Sequence, residues 1–465
     1  MNRQDITRRL YTLAVSGINI LVQTMFMTMV WKQYYNPCIR IPFWTRGHWY
    51  IMTLYFAMLM FFTHVYGGMK IGYLKRFDIL LSQGVATVCA SVLFYGEIFL
   101  LAYRFLTIVP IAAVTVVNIA FSVAWTWIAA KAYSRLFPPH RILLIYGRQK
   151  DEEARKKIME RQDKFLVVDS LDAETQMDEI RVRIRAGSSG FYTGAPGYGT
   201  KAFGGAMPAY TAVMLWDVPN FIRNEILKEC YGRRIRIYTM PSISDILLSG
   251  SEIMHFFDTP LFLIRSNALT LDQTFIKRVI DIAAALTLLI VTSPVLILTA
   301  LAIKAYDGGP VLYRQIRCSL YGTPFYIYKF RSMRTDAEKD GVARLAQKGD
   351  DRITPVGALI RKVRIDELPQ LFNVIKGDMS FVGPRPERPE IIESYKEELP
   401  EFLYRTRVKA GLTGYAQIYG KYNTVPYDKL KLDLYYIEHY SIWLDLKLLL
   451  LTVKIVLTPE STEGV

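Results

Sequence analysis

Apolar residues gather into four long blocks at the start of the chain, roughly 11–31, 49–66, 79–103 and 107–130. Each approaches or exceeds the ~20 residues that a helix needs to cross a hydrocarbon core, so the pattern predicts four membrane-spanning helices. After residue 130 the apolar runs shorten. "RILLIYG" (141–147), "FLVVDS" (165–170), "AVMLWDVP" (212–219) and "RIRIYTMP" (234–241) read as strands, and the charged stretch 151–162 reads as a helix between two of them. Strands alternating with helices predict a small doubly wound α/β domain.

A fifth apolar block, 282–303, is long enough to span, but Ser293-Pro294 interrupts it. Proline removes a backbone donor and kinks a helix. Cations flank both ends, Lys277 and Arg278 before and Lys304, Arg314 and Arg317 after, so both ends favour the cytoplasmic side. The expectation is a re-entrant helix–break–helix over about 275–304, with Ser293 bonding a carbonyl that the proline frees; the alternative is an ordinary fifth spanning helix kinked at the proline. The last apolar stretch, 442–457, is shorter and carries Asp445, Lys447 and Lys454. It reads as lying in the interface or packing on the domain.

Composition sharpens this. Half of the 465 residues are apolar and the formal charge is +15. In a soluble chain that charge would suggest nucleic acid; beside these apolar blocks it points to anionic lipid or phosphate instead, with no nucleic acid as partner. Around the first four blocks, nine cations (Arg3, Arg8, Arg9, Lys70, Lys75, Arg76, Lys131, Arg135, Arg141) lie on one side and four (Lys32, Arg40, Arg46, Arg104) on the other. The N-terminus and everything after residue 130 are therefore expected on the cytoplasmic face of a bacterial plasma membrane, as a multi-pass protein. The first block lacks a small-residue cleavage site and reads as an uncleaved anchor. Glu97, within the third block, is expected to pair with Arg104 at the interface. Cys38, Cys89, Cys230 and Cys318 are scattered and read as isolated thiols.

Two absences narrow the chemistry. The first strand–helix turn is Gly147-Arg148-Gln149-Lys150, not the G-x-G-x-x-G that a dinucleotide requires. The glycine-rich stretch 187–205 lacks a GK[ST] ending and reads as a loop. By contrast, the C-terminal part is dense in charge: "YKFRSMRTDAE" (328–338), "DRITPVGALIRKVRIDELPQLFNVIKGDMSFVGPRPE" (351–387) and "RVKAGLTGYAQIYG" (407–420). They hold no histidine. Arginine forks bind phosphates bidentately, and carboxylates hold the Mg2+ that neutralises a pyrophosphate. "IDELPQLFNVI" also reads simply as a helix start, with acids at the N-cap and first turn and Leu368, Phe372 and Ile375 as an apolar face. The two readings are compatible, because a helix N-terminus is an anion site.

The stretches around Ser293-Pro294, "KFRSM", "DELPQLFNVIKGDMSFVGPRP", "GLTG" and "DLYYIEHYS" together resemble the bacterial sugar transferases, monotopic polyprenyl-phosphate phosphoglycosyl transferases. The whole chain is similar to their long subclass. The resemblance implies four transmembrane helices (1–135), a Rossmann-like domain without a dinucleotide fingerprint (136–265) and a mostly helical catalytic domain with the re-entrant helix (266–465). It implies transfer of a hexose-1-phosphate from a UDP-sugar to polyprenyl phosphate with release of UMP, initiating exopolysaccharide, capsule or O-antigen synthesis, and a homodimer. Asp366 is the implied nucleophile and Glu367 the implied Mg2+ ligand. Lys329, Arg331 and Arg385 are assigned to nucleotide and phosphate contacts. Arg361, Lys362 and Arg364 serve either there or as a cationic face toward lipid, with Lys409 among the same cations. Asp378 and Asp433 either orient those cations or cap local helices. Two positions depart from the family pattern: Ala410 stands where proline is usual, and Cys318-Ser319 where valine and glycine are. The alternatives are a catalytically inactive membrane scaffold of polysaccharide assembly and a membrane-tethered nucleotide-sugar dehydratase. The missing fingerprint and the lack of a Tyr-x-x-x-Lys weigh against the dehydratase; the intact acidic pair weighs against the scaffold.

Overall fold

The computed structural model describes residues 3–39, 42, 45–147, 151–175, 177–188, 210–264, 268–335, 337, 350, 352–420 and 424–456. Nearly all of the glycine-rich stretch 187–205, and residues 148–150 of the strand–helix turn, lie outside the described residues. The chain divides into two compact units, Met1–Met240 and Pro241–Val465.

The first unit opens with four helices: α1 (Arg3–Val30), α2 (Thr45–Tyr66), α3 (Arg76–Ala102) and α4 (Val109–Leu136). All four lie in segments long and apolar enough to cross a membrane. Their polar side chains turn inward. Gln23 Nε2 donates to Ser122 Oγ at 2.8 Å, Thr87 Oγ1 to Gln23 Oε1 at 2.9 Å, and Thr126 Oγ1 to Gln83 Oε1 at 2.6 Å. These bonds stitch α1, α3 and α4 together where apolar surroundings offer no hydrophobic force between helices. The expected Glu97–Arg104 pair does not form. Arg104 donates to the Cys38 carbonyl at 3.1 Å, and Glu97 Oε2 is buried without a hydrogen bond.

The α/β part follows as β1 (His140–Tyr146), α5 (Asp151–Met159), β2 (Phe165–Asp172), α6 (Met177–Ser188), β3 (Ala212–Trp216), α7 (Asn220–Gly232) and β4 (Arg236–Thr239). The strands pair in the order β2-β1-β3-β4, all parallel. Successive strand residues face opposite sides, and here both sides are covered. Leu143, Ile145, Val213 and Leu215 pack with Ile180, Ile184 and Ile226 of α6 and α7. Ile142, Leu144, Ala212 and Met214 pack with Ala154 and Ile158 of α5. The doubly wound layering is the expected one.

The second unit comprises α8 (Ile243–Ser249), β5 (Glu252–Phe256), β6 (Thr259–Leu263), α9 (Leu271–Asp307), β7 (Leu312–Cys318), β8 (Pro324–Phe330), α10 (Pro355–Lys362), α11 (Gln370–Lys376), β9 (Ser380–Val382), α12 (Pro389–Glu398), β10 (Gly411–Thr413), α13 (Tyr415–Tyr419), α14 (Pro426–Glu438) and α15 (Ile442–Val456). Ile246 of α8 belongs to the same core as Leu371, Leu430 and Leu434, so α8 packs with the second unit. α15 packs on this unit through Leu448.

α9 differs from expectation. It runs as one continuous helix of 37 residues with Pro294 inside it, opened by a Thr270–Gln273 capping box. A side-chain bond offsets the proline: Ser293 Oγ donates at 2.8 Å to the Ile290 carbonyl, the acceptor that an N–H at residue 294 would have used. Both ends of α9 attach to one body. Near its start, Lys277 pairs with Asp445 at 2.5 Å, Arg278 donates to the Val374 and Ile375 carbonyls, and Asp281 accepts the Phe381 N–H at 3.0 Å. Near its end, Ile303 packs on Phe330 and Ile360, and Asp307 binds the Arg331 guanidinium. Between these anchors Ile290, Val291, Ile297, Leu298 and Leu301 are exposed.

The two family departures meet in space. The Ala410 N–H, a donor that proline would lack, bonds Ser319 Oγ at 3.2 Å; that hydroxyl in turn donates to the Asp378 carbonyl at 2.6 Å. Both residues are buried, so Ser319→Gly is expected to strand an amide and cost about 1–3 kcal/mol. Adding Ala410→Pro should recover most of that loss. Thermal unfolding of the single and double variants checks it, and additive losses would refute the coupling.

Candidate active site

The site begins with a conformational requirement. Arg364 has φ +54°, the left-handed region, and ends α10 so that a 3-10 turn, Ile365–Glu367, can follow. Such a backbone costs a non-glycine residue about 1–2 kcal/mol. Neither carboxylate caps α11, whose N-cap is Pro369 without a side-chain bond. The buried face of α11 is Leu371 and Val374, with Leu368 and Ile375 partly buried against the core; Phe372 of the expected face is exposed.

Glu367 and Asp366 point at different neighbours. Glu367 Oε1 accepts from Lys329 Nζ at 3.0 Å and Arg385 Nη2 at 3.1 Å, while Oε2 lies 3.7 Å from Arg364 Nη1. Lys329 arrives there because strand alternation puts it on the same side of β8 as Phe325 and Ile327, both buried. Asn373 fixes the alignment: it accepts the Tyr328 N–H at 3.0 Å and donates to the Tyr326 carbonyl at 2.7 Å. Arg385 is placed by a backbone-to-backbone seam. A Cβ on Gly383 would sit 2.3 Å from the Lys409 carbonyl oxygen, and one on Gly414 would sit 2.1 Å from that of Gly383. The glycines of "GLTG" are needed for that close approach.

Asp366 is 8% exposed, and no hydrogen bond or ion pair among the described residues engages its carboxylate. Burial first, and the Glu367 charge second, push its pKa up to about 6 against the opposing Lys329, Arg361 and Arg385. Burial also works to raise Glu367, but Lys329, Arg385 and Arg364 outweigh it and hold that carboxyl well below the usual range. Burial lowers the Lys329 ammonium, with Glu367 opposing. Arg361 Nη1 is buried without an acceptor. The site therefore has one clamped carboxylate, one free carboxylate and a spare guanidinium N–H.

Of the residues singled out in the sequence, Asp366, Glu367, Lys329, Arg361, Arg364 and Arg385 come together. Arg331, Asp378, Lys409 and Asp433 do not. Arg331 is spent on Asp307 and on the Pro310 carbonyl at 2.7 Å, locking the end of α9. Asp378 and Lys409 lie at the opposite end of α11; Asp378 accepts from Asn373 at 3.2 Å and pairs with Lys376 at 3.2 Å. Lys409 Nζ and the Arg278 guanidinium approach Gly377 there. Asp433 is 1% exposed and pairs with Arg405 at 2.7 Å, and Arg405 Nη2 donates to the Arg385 carbonyl at 3.0 Å. Sequence reasoning missed Asn373, Glu387 and Arg405. Glu387 joins Arg405 at 3.5 Å and Lys429, completing the support behind Arg385. Asn373 carried no charge signal, and Glu387 and Arg405 were hidden among other charges of "GPRPERPE" and "YRTRVK".

A membrane-attached domain built around an acidic pair ringed by cations defines the class. The chain belongs to the bacterial sugar transferase family, whose model matches residues 272–459. It is 45% identical, over 40% of its length and 71% of the relative's, to the UDP-glucose:undecaprenyl-phosphate glucose-1-phosphate transferase of Caulobacter vibrioides. It is 40% identical to the UDP-N-acetylgalactosamine-undecaprenyl-phosphate N-acetylgalactosaminephosphotransferase of Aeromonas hydrophila, over 50% of this chain and 55% of that protein. Against the undecaprenyl-phosphate galactose phosphotransferase of Salmonella typhimurium it is 36% identical over 50% and 51%. For several of these relatives the matched region spans only about half of their length.

The electrostatics predict a pH signature. A buried carboxyl whose folded pKa is raised costs the folded state most once it ionises, so stability falls as pH rises from about 4 toward about 6. Asp366→Asn removes that cost. Its thermal midpoint should exceed the parent's at pH 8 and match it near pH 4. Melting curves across that range check this; a gain independent of pH would contradict it.

Proposed function

We propose that this protein transfers a sugar-1-phosphate from a UDP-sugar to a polyprenyl phosphate in the membrane, releasing UMP. The carrying observation is the division of labour in the acidic pair: Glu367 neutralised by Lys329 and Arg385, Asp366 buried yet free. A carboxyl with a pKa of about 6 is mostly ionised at pH 7 and needs no general base. Its oxygen attacks the β-phosphorus, the bridging P–O bond to the α-phosphate breaks, and UMP leaves with the electron pair. A polyprenyl phosphate oxygen then attacks the same phosphorus, breaking the acyl–phosphate bond and restoring the Asp366 carboxylate. Arg361, with its unfilled N–H, and Arg385 bind the phosphate oxygens. The donor names among the relatives differ in sugar, and no residue of the site singles out one hexose.

Mg2+ fits this donor set. It is ordinarily held by one or two carboxylates together with substrate phosphates and water. Glu367 Oε2, with Arg364 beyond hydrogen-bond distance at 3.7 Å, is the oxygen that would hold it. When bound, the ion would offset charge on the diphosphate.

The membrane arrangement belongs to the same proposal. Helices α1 to α4 cross the bilayer, the second unit lies on the cytoplasmic face, and α9 dips into one leaflet and returns. What supports the dip is that both ends of α9 attach to the same body while its middle stays apolar and exposed. Straight, the 37 residues would span about 55 Å at 1.5 Å each, and Pro294 near the middle is where a bend would fall. A dip brings Asp366 to the depth of a lipid phosphate.

Incubation with Mg2+, a short polyprenyl phosphate and a panel of UDP-sugars should release UMP, and Asp366→Asn should abolish that release. Full turnover by this variant would sink the nucleophile assignment. Glu367→Gln should lose at least about 100-fold. Cysteines introduced near Thr274 and Tyr306 should both react with an impermeant reagent from the cytoplasmic side only; labelling from opposite sides would restore a spanning helix.

A further inference from the structure

Two consecutive arms carry opposite halves of the site. One begins at Asp366-Glu367 and continues as α11; the other is β9, which leads into the loop that holds Arg385. At their open ends the arms meet in the Glu367–Arg385 pair at 3.1 Å. At their closed ends they are joined by Gly377, Asp378 and Met379 alone, with Gly377 at φ +98°.

α9 ties both arms across that turn. Arg278 Nη1 and Nη2 donate to the Val374 and Ile375 carbonyls at 2.5 and 2.6 Å, in the last turn of α11, where a helix presents its negative end. Asp281 lies three residues on, on the same side of α9. It is 5% exposed and accepts the Phe381 N–H of β9 at 3.0 Å. Each bond joins a charged group to backbone, the stronger class of hydrogen bond. Because the partners are main-chain atoms, what the bonds fix is the course of the helix and of the strand. A shift of β9 is passed on directly. Phe381 is four residues from Arg385, at most about 14 Å of extended chain, and between them the Gly383 N–H donates to the Thr413 carbonyl at 2.9 Å.

We propose that Arg278 and Asp281 are positioning residues for the transfer, an inference that rests on the UDP-sugar reading above. One turn of α9 holds α11 and β9 at the angle that brings Arg385 onto Glu367 and toward the donor diphosphate. Each residue acts through the backbone it holds. With the bracket broken, the arms open about the Gly377 turn and Arg385 loses its register with Lys329, its fellow cation on Glu367. A misplacement of about 1 Å from a change far from the chemistry can cost about 100-fold.

The test is equilibrium titration of UDP, with Mg2+, onto the full-length protein in lipid nanodiscs, which returns an affinity and a number of sites separately. Partial unfolding removes sites and leaves the affinity of the rest; a displaced Arg385 weakens every site. Arg278→Gln and Asp281→Leu should each weaken UDP about tenfold, the worth of one charged hydrogen bond to phosphate, at the parent's number of sites. Asp281→Asn still accepts the Phe381 N–H and should stay within about threefold of the parent. In an Arg385→Ala background neither Arg278→Gln nor Asp281→Leu should weaken UDP further, since the group they position is gone. Unchanged affinity in Arg278→Gln, loss of sites without loss of affinity, or equal weakening with and without the Arg385 side chain would overturn the bracket and leave the donor reading standing. Failure of the parent to bind UDP at all would overturn both.

Discussion

Two carboxylates on adjacent residues cannot share a buried site unless their charges are answered, and this domain is arranged around that constraint. Glu367 is answered by cations from three segments: Lys329 from β8, Arg364 from the preceding turn and Arg385 from the loop after β9. Each needs its own support. Asn373 aligns β8, a left-handed backbone at Arg364 makes the turn, and a seam of glycines with the Arg405–Glu387–Asp433 group holds the Arg385 loop. Asp366 is left with burial and the repulsion of Glu367, opposed at longer range by Lys329, Arg361 and Arg385.

Much of this architecture was legible in the sequence because it is written in periodicity. The four apolar helices, the four parallel strands and the length of α15 follow from the spacing of apolar residues, since one face or both must be buried. The acidic pair and its nearest cations were legible from local density of charge. What was not legible depended on pairing across the chain. Arg331 reads the same as Arg385 in one dimension, yet Asp307, 24 residues away, claims the first and Glu367 the second. Asp433, expected either to orient the site's cations or to cap a helix, pairs with Arg405, a residue the sequence did not single out.

Proline was the other limit. Its rule, that it breaks a helix, held for the hydrogen bond and failed for the element: the donor is missing at Pro294, but the Ser293 hydroxyl takes up the freed carbonyl and the helical run continues. At this proline the carbonyl four residues back keeps a donor, supplied by the neighbouring serine.

The Ser319–Ala410 contact makes the order of substitution matter. A hydroxyl at 319 is harmless beside a proline, because it still donates to the Asp378 carbonyl. An amide at 410 without that hydroxyl is a buried donor with no acceptor. Starting from glycine at 319 and proline at 410, introducing serine first avoids the buried unpaired donor that replacing the proline first would create.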